Sequence, residues 1–358
     1  MSVPFRVSDF DFDLPPDLVA QEPLPVRGTS RLMRLQRDSG VITHGAFADL
    51  PSWLAPDDLL VLNDTRVFPA RLLGRRLPGG GAVECLLATR LDPETGEAAT
   101  ERWLALVSPG ARVKSGTHVV FEGAGAALHG EVLDRGEHGR IVRLSTADGS
   151  AVRAALHRLG HVPLPPYIKR ADRAADRERY QTVYGRHEGS IAAPTAGLHF
   201  TPALLDELDR AGIERTSITL HVGYGTFQPV RVDLLADHRM AREEYEVTLE
   251  AATALTRARQ AGRRIVAVGT TTTRTLESLD LGPGGELRPG RGATEIFIAP
   301  GHRFRVVGGL VTNFHVPRSS LLMLVSALAG VEPIRRAYRE AVAARYRFYS
   351  YGDAMFIG

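Results

Sequence analysis

The sequence is poor in cysteine and contains no long apolar run. One cysteine, Cys85, occurs among 358 residues, which excludes an intrachain disulfide and a cysteine-based zinc cluster. The longest apolar-rich run, residues 321–331, is much shorter than the roughly 20 residues that cross a bilayer. Aspartate and proline stand near the N-terminus, where a signal peptide needs an apolar core. We therefore expect a soluble protein of the reducing cytoplasm.

Lysine is also scarce. Lys114 and Lys169 are the only lysines among 44 basic residues, and the net charge is +3. A GC-rich genome explains this arginine usage without invoking any function. Arginine also binds phosphates in bidentate geometry and stacks on bases, so a polyanionic partner remains open.

The common catalytic motifs are absent as well. The sequence has no HExxH, no paired CxxC, no acidic calcium loop, no GxSxG and no GxGxxG after a strand. We predict that no metal is bound.

The chain is organised around residues 189–228, which read GSIAAPTAGLHFTPALLDELDRAGIERTSITLHVGYGTFQ. Thr201 and Pro202 predict the start of a helix and Gly212 its end, and a strand follows over residues 216–222. A loop before a helix and a loop after the carboxyl end of a strand are where α/β folds bind ligands. The histidines in these loops, His199 and His221, are therefore the first candidates.

Two patterns divide the rest of the chain. From Leu59 to Ser145, short β-prone runs alternate with glycine turns, which predicts a small antiparallel barrel or sandwich. From residue 190 to 330, helices alternate with apolar strands, which predicts an α/β domain. The charged segment after residue 170 predicts a solvated helix, and a further helix is predicted over residues 320–329.

A second candidate ligand loop follows the apolar strand RRIVAV. The segment GTTTTR, from Gly269 to Arg274, offers backbone amides, hydroxyls and a guanidinium at the start of a helix, although threonine capping explains part of it. Glu295 is predicted on a strand over residues 294–301, and strands hinged at residues 308 and 309 lead to His315. Convergence of three histidines with Glu295 and Arg274 predicts general acid–base chemistry on a nucleotide-like ligand. For any one histidine, a structural hydrogen-bonding role is the alternative.

Several long motifs then carry a resemblance. APTAGLHF, LHVGYGTFQPVR, VGTTTTRTLES, TEIFIAPG, LVTNFHVPRSSLLMLVSALAG and YRFYSYGDAMFI occur in this order, after LNDTRVFPARL and GHVPLPPYI. Together they resemble the S-adenosylmethionine:tRNA ribosyltransferase-isomerase family of queuosine biosynthesis, from DFDFDLP to the last residue. The departures are Ala241, where the family usually has a second histidine, and Thr272, which replaces a serine and keeps its hydroxyl.

The resemblance implies a fold and a reaction. It implies an α/β main domain with a mixed sheet, over residues 1–65 and 155–358, and a smaller inserted all-β barrel domain over residues 66–154. The implied reaction moves the ribosyl group of S-adenosylmethionine to 7-aminomethyl-7-deazaguanine at the wobble position of a tRNA with a GUN anticodon. Adenine and L-methionine leave, no prosthetic group is needed, and a monomer is expected.

The resemblance also assigns residues, which we state as hypotheses. The catalytic candidates are His199, His221, Glu295 and His315. The residues expected to bind S-adenosylmethionine are Thr195, Gly197, Gly223, Gly225, Gly269, Thr270, Thr271, Arg274 and Asn313. The residues expected to meet tRNA are Arg66, Arg170, Arg173, Tyr349 and Tyr351. Two other functions stay open: a non-catalytic RNA-binding protein and a nucleoside hydrolase.

Overall fold

A computed structural model of the chain describes residues 5–92, 98–136, 139–227 and 230–358. Gln228, the last residue of the predicted organising stretch, lies outside these ranges, as do parts of the predicted barrel. The strands are β1 (Arg31–Leu35), β2 (Ile42–Ala46), β3 (Leu59–Asn63), β4 (Thr65–Val67), β5 (Arg71–Leu77), β6 (Ala82–Arg90), β7 (Thr100–Ser108), β8 (His118–Gly123), β9 (Ala126–Gly136), β10 (Gly139–Ser145), β11 (His187–Ser190), β12 (Glu214–Leu220), β13 (Glu243–Val247), β14 (Ile265–Val268), β15 (Gly290–Thr294), β16 (Gly309–Asn313) and β17 (Ala354–Ile357). The helices are α1 (Leu50–Trp53), α2 (Val152–Leu159), α3 (Asp176–Arg179), α4 (Pro202–Arg210), α5 (Leu249–Gln260), α6 (Thr270–Ser278), α7 (Ser320–Ala329) and α8 (Val331–Ala343).

The largest element is a mixed sheet. Within the described ranges it has nine strands in the order β15-β13-β12-β3-β14-β16-β17-β1-β2. Strands β12, β3, β14 and β16 run parallel to one another in its centre, and antiparallel pairs flank them. All five residues of β3 are buried, as expected for a parallel strand that is covered on both faces.

A separate barrel is inserted after β4. In the part of the chain that the structure describes, β5 to β10 form a closed antiparallel barrel in the order β10-β7-β6-β5-β8-β9. Its core is continuous with Val152, Ala155 and Leu156 of helix α2. The predicted domain boundary at residue 155 therefore falls inside a helix that packs against the barrel.

Each face of the large sheet has its own core. Alternation along the strands sends Leu310 to a core covered by α5 to α8 and Val311 to a core covered by α1 and α4. Helix α4 begins as predicted: Thr201 Oγ1 accepts a hydrogen bond from the Leu204 amide at 3.1 Å, and Pro202 occupies the first turn.

Some predicted elements were wrong in extent. The predicted strand over residues 294–301 is instead strand β15, which ends at Thr294, and residues 295–299 have no regular structure. A single strand, β16, replaces the two strands predicted around residues 308 and 309. The predicted charged helix after residue 170 shrinks to the four residues of α3.

The predicted fold class, an α/β domain with a mixed sheet and a smaller all-β barrel, is confirmed. The barrel strands lie inside the predicted insertion of residues 66–154, and the exact domain division stays a prediction. Among the described residues, no helix is long and apolar enough to cross a membrane.

Candidate active site

Polar side chains gather where the central parallel strands end. Asn63 closes β3, His221 follows β12, Gly269 follows β14 and Asn313 closes β16. The carboxyl ends of parallel strands meet at one edge of a sheet, and open α/β sheets bind ligands there. We call this the carboxyl edge.

Asn63 ties two of these strands to the start of α6. Its Oδ1 accepts hydrogen bonds from the amides of Leu220 at 3.0 Å and Thr65 at 3.2 Å. Its Nδ2 donates to the Leu220 carbonyl at 3.0 Å and lies 3.4 Å from Thr271 Oγ1. The amide thus continues the β3–β12 pairing beyond the last backbone bond, and it connects these strands to the start of α6.

His221 is held by hydroxyl groups from the ribbon formed by β4 and β11. Its Nδ1 lies 2.8 Å from Thr65 Oγ1, which is also 2.8 Å from Ser190 Oγ. A Cβ atom on Gly189 would lie 2.6 to 2.8 Å from three atoms of the His221 ring. The ring is therefore packed directly against the backbone of β11 and remains partly exposed.

A buried ion pair contacts the loop that carries this histidine. Arg274 bonds to Glu243 through Nη1, and its Nε donates to the Ile296 carbonyl at 3.1 Å. Glu243 also accepts a hydrogen bond from the Gly223 amide at 3.1 Å, which connects the pair to the loop after β12. Nη2 of Arg274 is buried and has no hydrogen-bond partner among the described residues. An unsatisfied buried donor of this kind is uncommon and calls for an acceptor.

The N-terminus of α6 lies between these groups and the turn that carries His199. Gly269 has φ of +92° and provides no side chain to cap the first amides. Thr270 and Thr271 are each 8% exposed. A Cβ atom on Gly269 would lie 3.8 Å from the Cβ of Ala196, so the two segments face each other. Free amides at a helix start favour an anionic group.

His199 lies at the same edge but is enclosed by protein. Asn313 Nδ2 donates to the Tyr349 carbonyl at 3.1 Å, which fixes the orientation of the amide, and lies 3.0 Å from His199 Nε2. Asn313 Oδ1 accepts from Thr195 Oγ1 at 2.9 Å. Nε2 of His199 is therefore an acceptor, and the proton on Nδ1 is donated to Ser30 Oγ at 2.7 Å. Both ring nitrogens are used by the protein.

Burial also sets the charge of His199. Desolvation, reinforced by Arg27 and Arg347, lowers its pKa to about 3, so the ring is neutral at neutral pH. Phe47 stacks on the ring with the centroids 4.9 Å apart. The neighbouring cleft, lined by Ser30 and Leu198 among others, has a volume of about 30 Å³.

The other two catalytic candidates lie elsewhere. Nε2 of His315 is 2.9 Å from Thr312 Oγ1, which alternation along β16 places on the face opposite Asn313. His315 is 8% exposed, and burial lowers its pKa to about 3. Glu295 is exposed and follows β15, next to the Ile296 carbonyl that Arg274 contacts. The structure therefore connects Arg274, through Glu243, to the loop that carries His221, and it leaves His315 apart.

Two of the candidate glycines are explained by close packing. A Cβ atom on Gly197 would lie 2.1 Å from the hydroxyl of Tyr184, and one on Gly225 would lie 2.4 Å from the Cβ of Ala241. Neither position has room for a larger residue.

The residues predicted to meet tRNA differ in accessibility. Arg66 is exposed, and Arg173 is exposed but lies 3.0 Å from Glu22. Arg170 forms a bidentate pair with Asp176 at 2.7 and 2.8 Å. Tyr351 is buried and donates a hydrogen bond to the same carboxylate at 3.0 Å. Tyr349 is half-buried, with its ring 4.0 Å from that of Tyr167.

Sequence reasoning missed important members of the site. The candidates predicted from the sequence do not include Ser30, Asn63, Thr65, Ser190 or Glu243. A useful signal at β3 is that a strand buried throughout ends in the polar residue Asn63 and is followed directly by two more polar residues, Asp64 and Thr65.

Together, the fold and the site define an α/β protein with an inserted barrel and a candidate acid–base and anion site at the carboxyl edge of its main sheet. The chain belongs to the family described as queuosine biosynthesis protein, whose model matches residues 7–357. The resemblance predicted from the motifs is thereby confirmed.

Named relatives cover nearly the whole chain. A protein of Anaeromyxobacter sp. (strain Fw109-5) and one of Symbiobacterium thermophilum are each 53% identical over 352 residues, covering 98% of this chain and 99% of the relative. Both are named S-adenosylmethionine:tRNA ribosyltransferase-isomerase. The crystal structure of S-adenosylmethionine tRNA ribosyltransferase from Thermotoga maritima is 39% identical with a TM-score of 0.55, covering 98% of this chain and 100% of the other.

Proposed function

We propose that this protein transfers and isomerises the ribosyl moiety of S-adenosylmethionine onto 7-aminomethyl-7-deazaguanine at the wobble position of tRNA. The products are epoxyqueuosine-tRNA, adenine and L-methionine. The observation that carries the proposal is the match to relatives of this name along 98% of the chain. We propose that the substrate is a tRNA with a GUN anticodon and that the reaction takes place in the cytoplasm.

The chemistry asks for a base of modest strength near the donor. The sulfonium of S-adenosylmethionine acidifies the adjacent C5′ protons, so a histidine or a carboxylate suffices to begin the reaction. We assign this role to His221, which is partly exposed at the carboxyl edge and is oriented by Thr65. Both nitrogens of His199 are engaged, and His315 lies on the other face of the sheet.

The carboxylate of the methionine moiety suits the Arg274 region. Nη2 of Arg274 is a donor without a protein partner among the described residues, and the first amides of α6 add positive potential. Glu243 fixes the guanidinium and so limits the positions that its free nitrogen can take. Gly223, Gly225, Gly269, Thr270 and Thr271 would shape the rest of this pocket. Glu295 would face the sulfonium or the ribose hydroxyls.

The remaining candidates would hold neighbouring segments of the site in place rather than contact the substrate. His199, Asn313 and Thr195 form one hydrogen-bonded unit that fixes the turn over α6, and Gly197 allows that turn to pack on Tyr184. His315 would hold the end of β16 from the opposite face. No prosthetic group takes part in this proposal.

On the tRNA side, we propose that Arg66 and Arg173 contact phosphates and that Tyr349 stacks on an anticodon base. Arg170 and Tyr351 both bond to Asp176, and they would stabilise the proposed tRNA-binding surface without contacting the RNA.

One assay tests the function. The protein is mixed with S-adenosylmethionine and precursor tRNA, and the release of adenine and methionine is followed. Release of both, dependent on tRNA, is the expected result. Adenine release without tRNA would indicate a nucleoside hydrolase, and tRNA binding without any product would indicate a non-catalytic RNA-binding protein.

A further inference from the structure

We propose that the phosphate backbone of the RNA binds on the outer face of the β4–β11 ribbon and on the adjoining helix α2, through Arg66, Arg153 and Arg186. We call these three residues the ribbon arginines. This inference rests on the proposed function, because it takes tRNA as the substrate.

The ribbon has one face toward the site and one toward solvent. β4 and β11 run parallel, with Thr65 opposite His187 and Arg66 opposite Glu188. Thr65 and Val67 are buried and Arg66 is exposed, as alternation along a strand requires. Because Thr65 contacts His221, the side chain of Arg66 lies on the reverse side of the same strand.

The other two ribbon arginines adjoin this surface. The backbone amide of Arg186 donates to the Asp64 carbonyl at 2.7 Å, which fixes the chain just before β11. Arg153 lies on α2, whose side chains reach β11: Nη1 of Arg153 is 3.9 Å from Glu188 Oε2, and Nε2 of His157 is 3.2 Å from the same oxygen. The surface therefore continues from the ribbon onto the helix.

The ribbon arginines have few protein partners. The guanidinium groups of Arg66 and Arg186 make no hydrogen bond or ion pair with any residue that the structure describes. Arg153 forms one ion pair, with Glu188 at 3.9 Å, which is too long for a hydrogen bond. Arg170, in contrast, is bonded to Asp176 in bidentate geometry. An exposed guanidinium without a partner keeps its donors available for phosphate oxygens.

The acidic groups nearby do not cancel this charge. Glu188 is in contact with His157, and Asp64 accepts a hydrogen bond from Thr219 Oγ1 at 2.7 Å and faces His187 at 3.8 Å. Three arginines against two carboxylates leave a surplus of positive charge before either imidazole is protonated. Such a surface attracts a polyanion without reading its bases.

The position of the ribbon connects this surface to the chemistry. Gly189 of β11 packs against the His221 ring, so a phosphate bound by the ribbon arginines would be separated from the imidazole by one strand. RNA-modifying enzymes extrude their target nucleotide into a pocket while holding the neighbouring backbone. The ribbon arginines would bind the RNA backbone in this way beside the carboxyl edge.

The test compares two triple variants of the full-length protein. Arg66→Gln/Arg153→Gln/Arg186→Gln removes the ribbon arginines, and Arg257→Gln/Arg335→Gln/Arg339→Gln removes the same charge from exposed positions on α5 and α8. Binding of precursor tRNA is measured by fluorescence anisotropy over a series of salt concentrations. For the ribbon variant we expect weaker binding and a slope of log K against log salt that is shallower by roughly 2 to 3, since each lost phosphate contact accounts for about 0.7 to 0.9. The control variant should keep more of the wild-type slope.

The outcomes separate the surface from the function. If wild-type protein binds tRNA and releases adenine but the ribbon variant keeps the wild-type slope of log K against log salt, the RNA does not bind at the ribbon arginines and the proposed function stands. Equal losses of slope in both triple variants would also overturn the proposed surface, because total charge would then explain them. If wild-type protein binds no tRNA, the proposed function itself fails. Binding of S-adenosylmethionine, measured by calorimetry, should not change in the ribbon variant. Should the triple variant fold poorly, Arg66→Gln alone should still lower the slope by about 0.7 to 0.9.

Discussion

Thr65 Oγ1 lies 2.8 Å from Nδ1 of His221, and the hydroxyl of Ser190 lies 2.8 Å from the same oxygen. Ser190 Oγ accepts a hydrogen bond from the Val222 amide at 2.8 Å, so its own proton is available to Thr65. Thr65 has a single proton, which it can donate to His221 or to the His187 carbonyl at 3.4 Å. The choice between these two acceptors decides which nitrogen of His221 carries a proton.

Replacing Thr65 should therefore change catalysis more than folding. We expect Thr65→Val to lower kcat on the order of 10- to 100-fold, because the imidazole loses the partner that sets its orientation and tautomer. We also expect the acidic limb of the profile of kcat against pH to move in this variant. Thr65→Ser keeps the hydroxyl and should recover most of the activity. Adenine release over a pH series measures both effects. Equal losses in the valine and serine variants, with an unchanged pH profile, would assign Thr65 to packing alone.

A second prediction concerns the contact between Gly189 and His221. A methyl group at residue 189 would lie 2.6 Å from the nearest ring atom, which is closer than real Cβ contacts, so the ring must move. We expect Gly189→Ala to reduce kcat by on the order of 100-fold, since a displacement of about 1 Å in an acid–base group has this cost. Gly110→Ala is the control, because a Cβ atom there would meet nothing within 4 Å. Unchanged turnover in Gly189→Ala would mean that the position of His221 is not critical.

The sequence predicted those parts of the fold that have local signals. Helix α7 has its predicted bounds because Ser319 caps its start and Gly330, with φ of +92°, ends it. Glu243 could not be found in this way. It lies in EEYEV, a run that is typical of a solvated edge strand, and it is buried because Arg274, 31 residues later, turns toward it. The opposite faces occupied by His199 and His315 likewise depend on the strand register of β16, which the motif LVTNFHVP alone does not give.

The pair formed by Arg274 and Glu243 gives a third prediction, on stability. Both side chains are almost fully buried, so removing one partner leaves an uncompensated charge, which costs about 3 to 5 kcal/mol. We expect Glu243→Gln to destabilise the protein by roughly this amount. The double variant Glu243→Gln/Arg274→Met should be less destabilised than the sum of the two single variants, because it buries no unpaired charge.

Urea unfolding of the wild type, both single variants and the double variant completes this thermodynamic cycle. A coupling energy near zero would show that Arg274 and Glu243 do not stabilise each other. Calorimetric titration with S-adenosylmethionine adds a functional arm: Arg274→Lys keeps the charge but loses the fork of donors and should bind more weakly.

The last prediction concerns acid stability. Burial lowers the pKa of His199 from 6.5 to about 3, so the unfolded chain binds a proton on this ring at a higher pH than the folded protein does. Above pH 6.5 the contribution of the neutral ring to the free energy of unfolding is complete. This contribution is lost as the pH falls from about 6.5 to about 3. The largest slope that one histidine can add is about 1.4 kcal/mol per pH unit. His315 contributes in the same direction, because burial lowers its pKa to about 3 as well.

Urea unfolding at a series of pH values measures this slope. His199→Gln lowers stability at neutral pH, since the bonds to Ser30 and Asn313 are disturbed, but its stability should then fall less steeply with acid than that of the wild type. His118→Gln removes an exposed histidine of the barrel and serves as the control, for which we expect the wild-type slope. If His199→Gln and the wild type lose stability at the same rate between pH 6.5 and 3, His199 takes up its proton in the folded state. The ring would then be free to titrate, and its exclusion from acid–base chemistry at the carboxyl edge would be wrong.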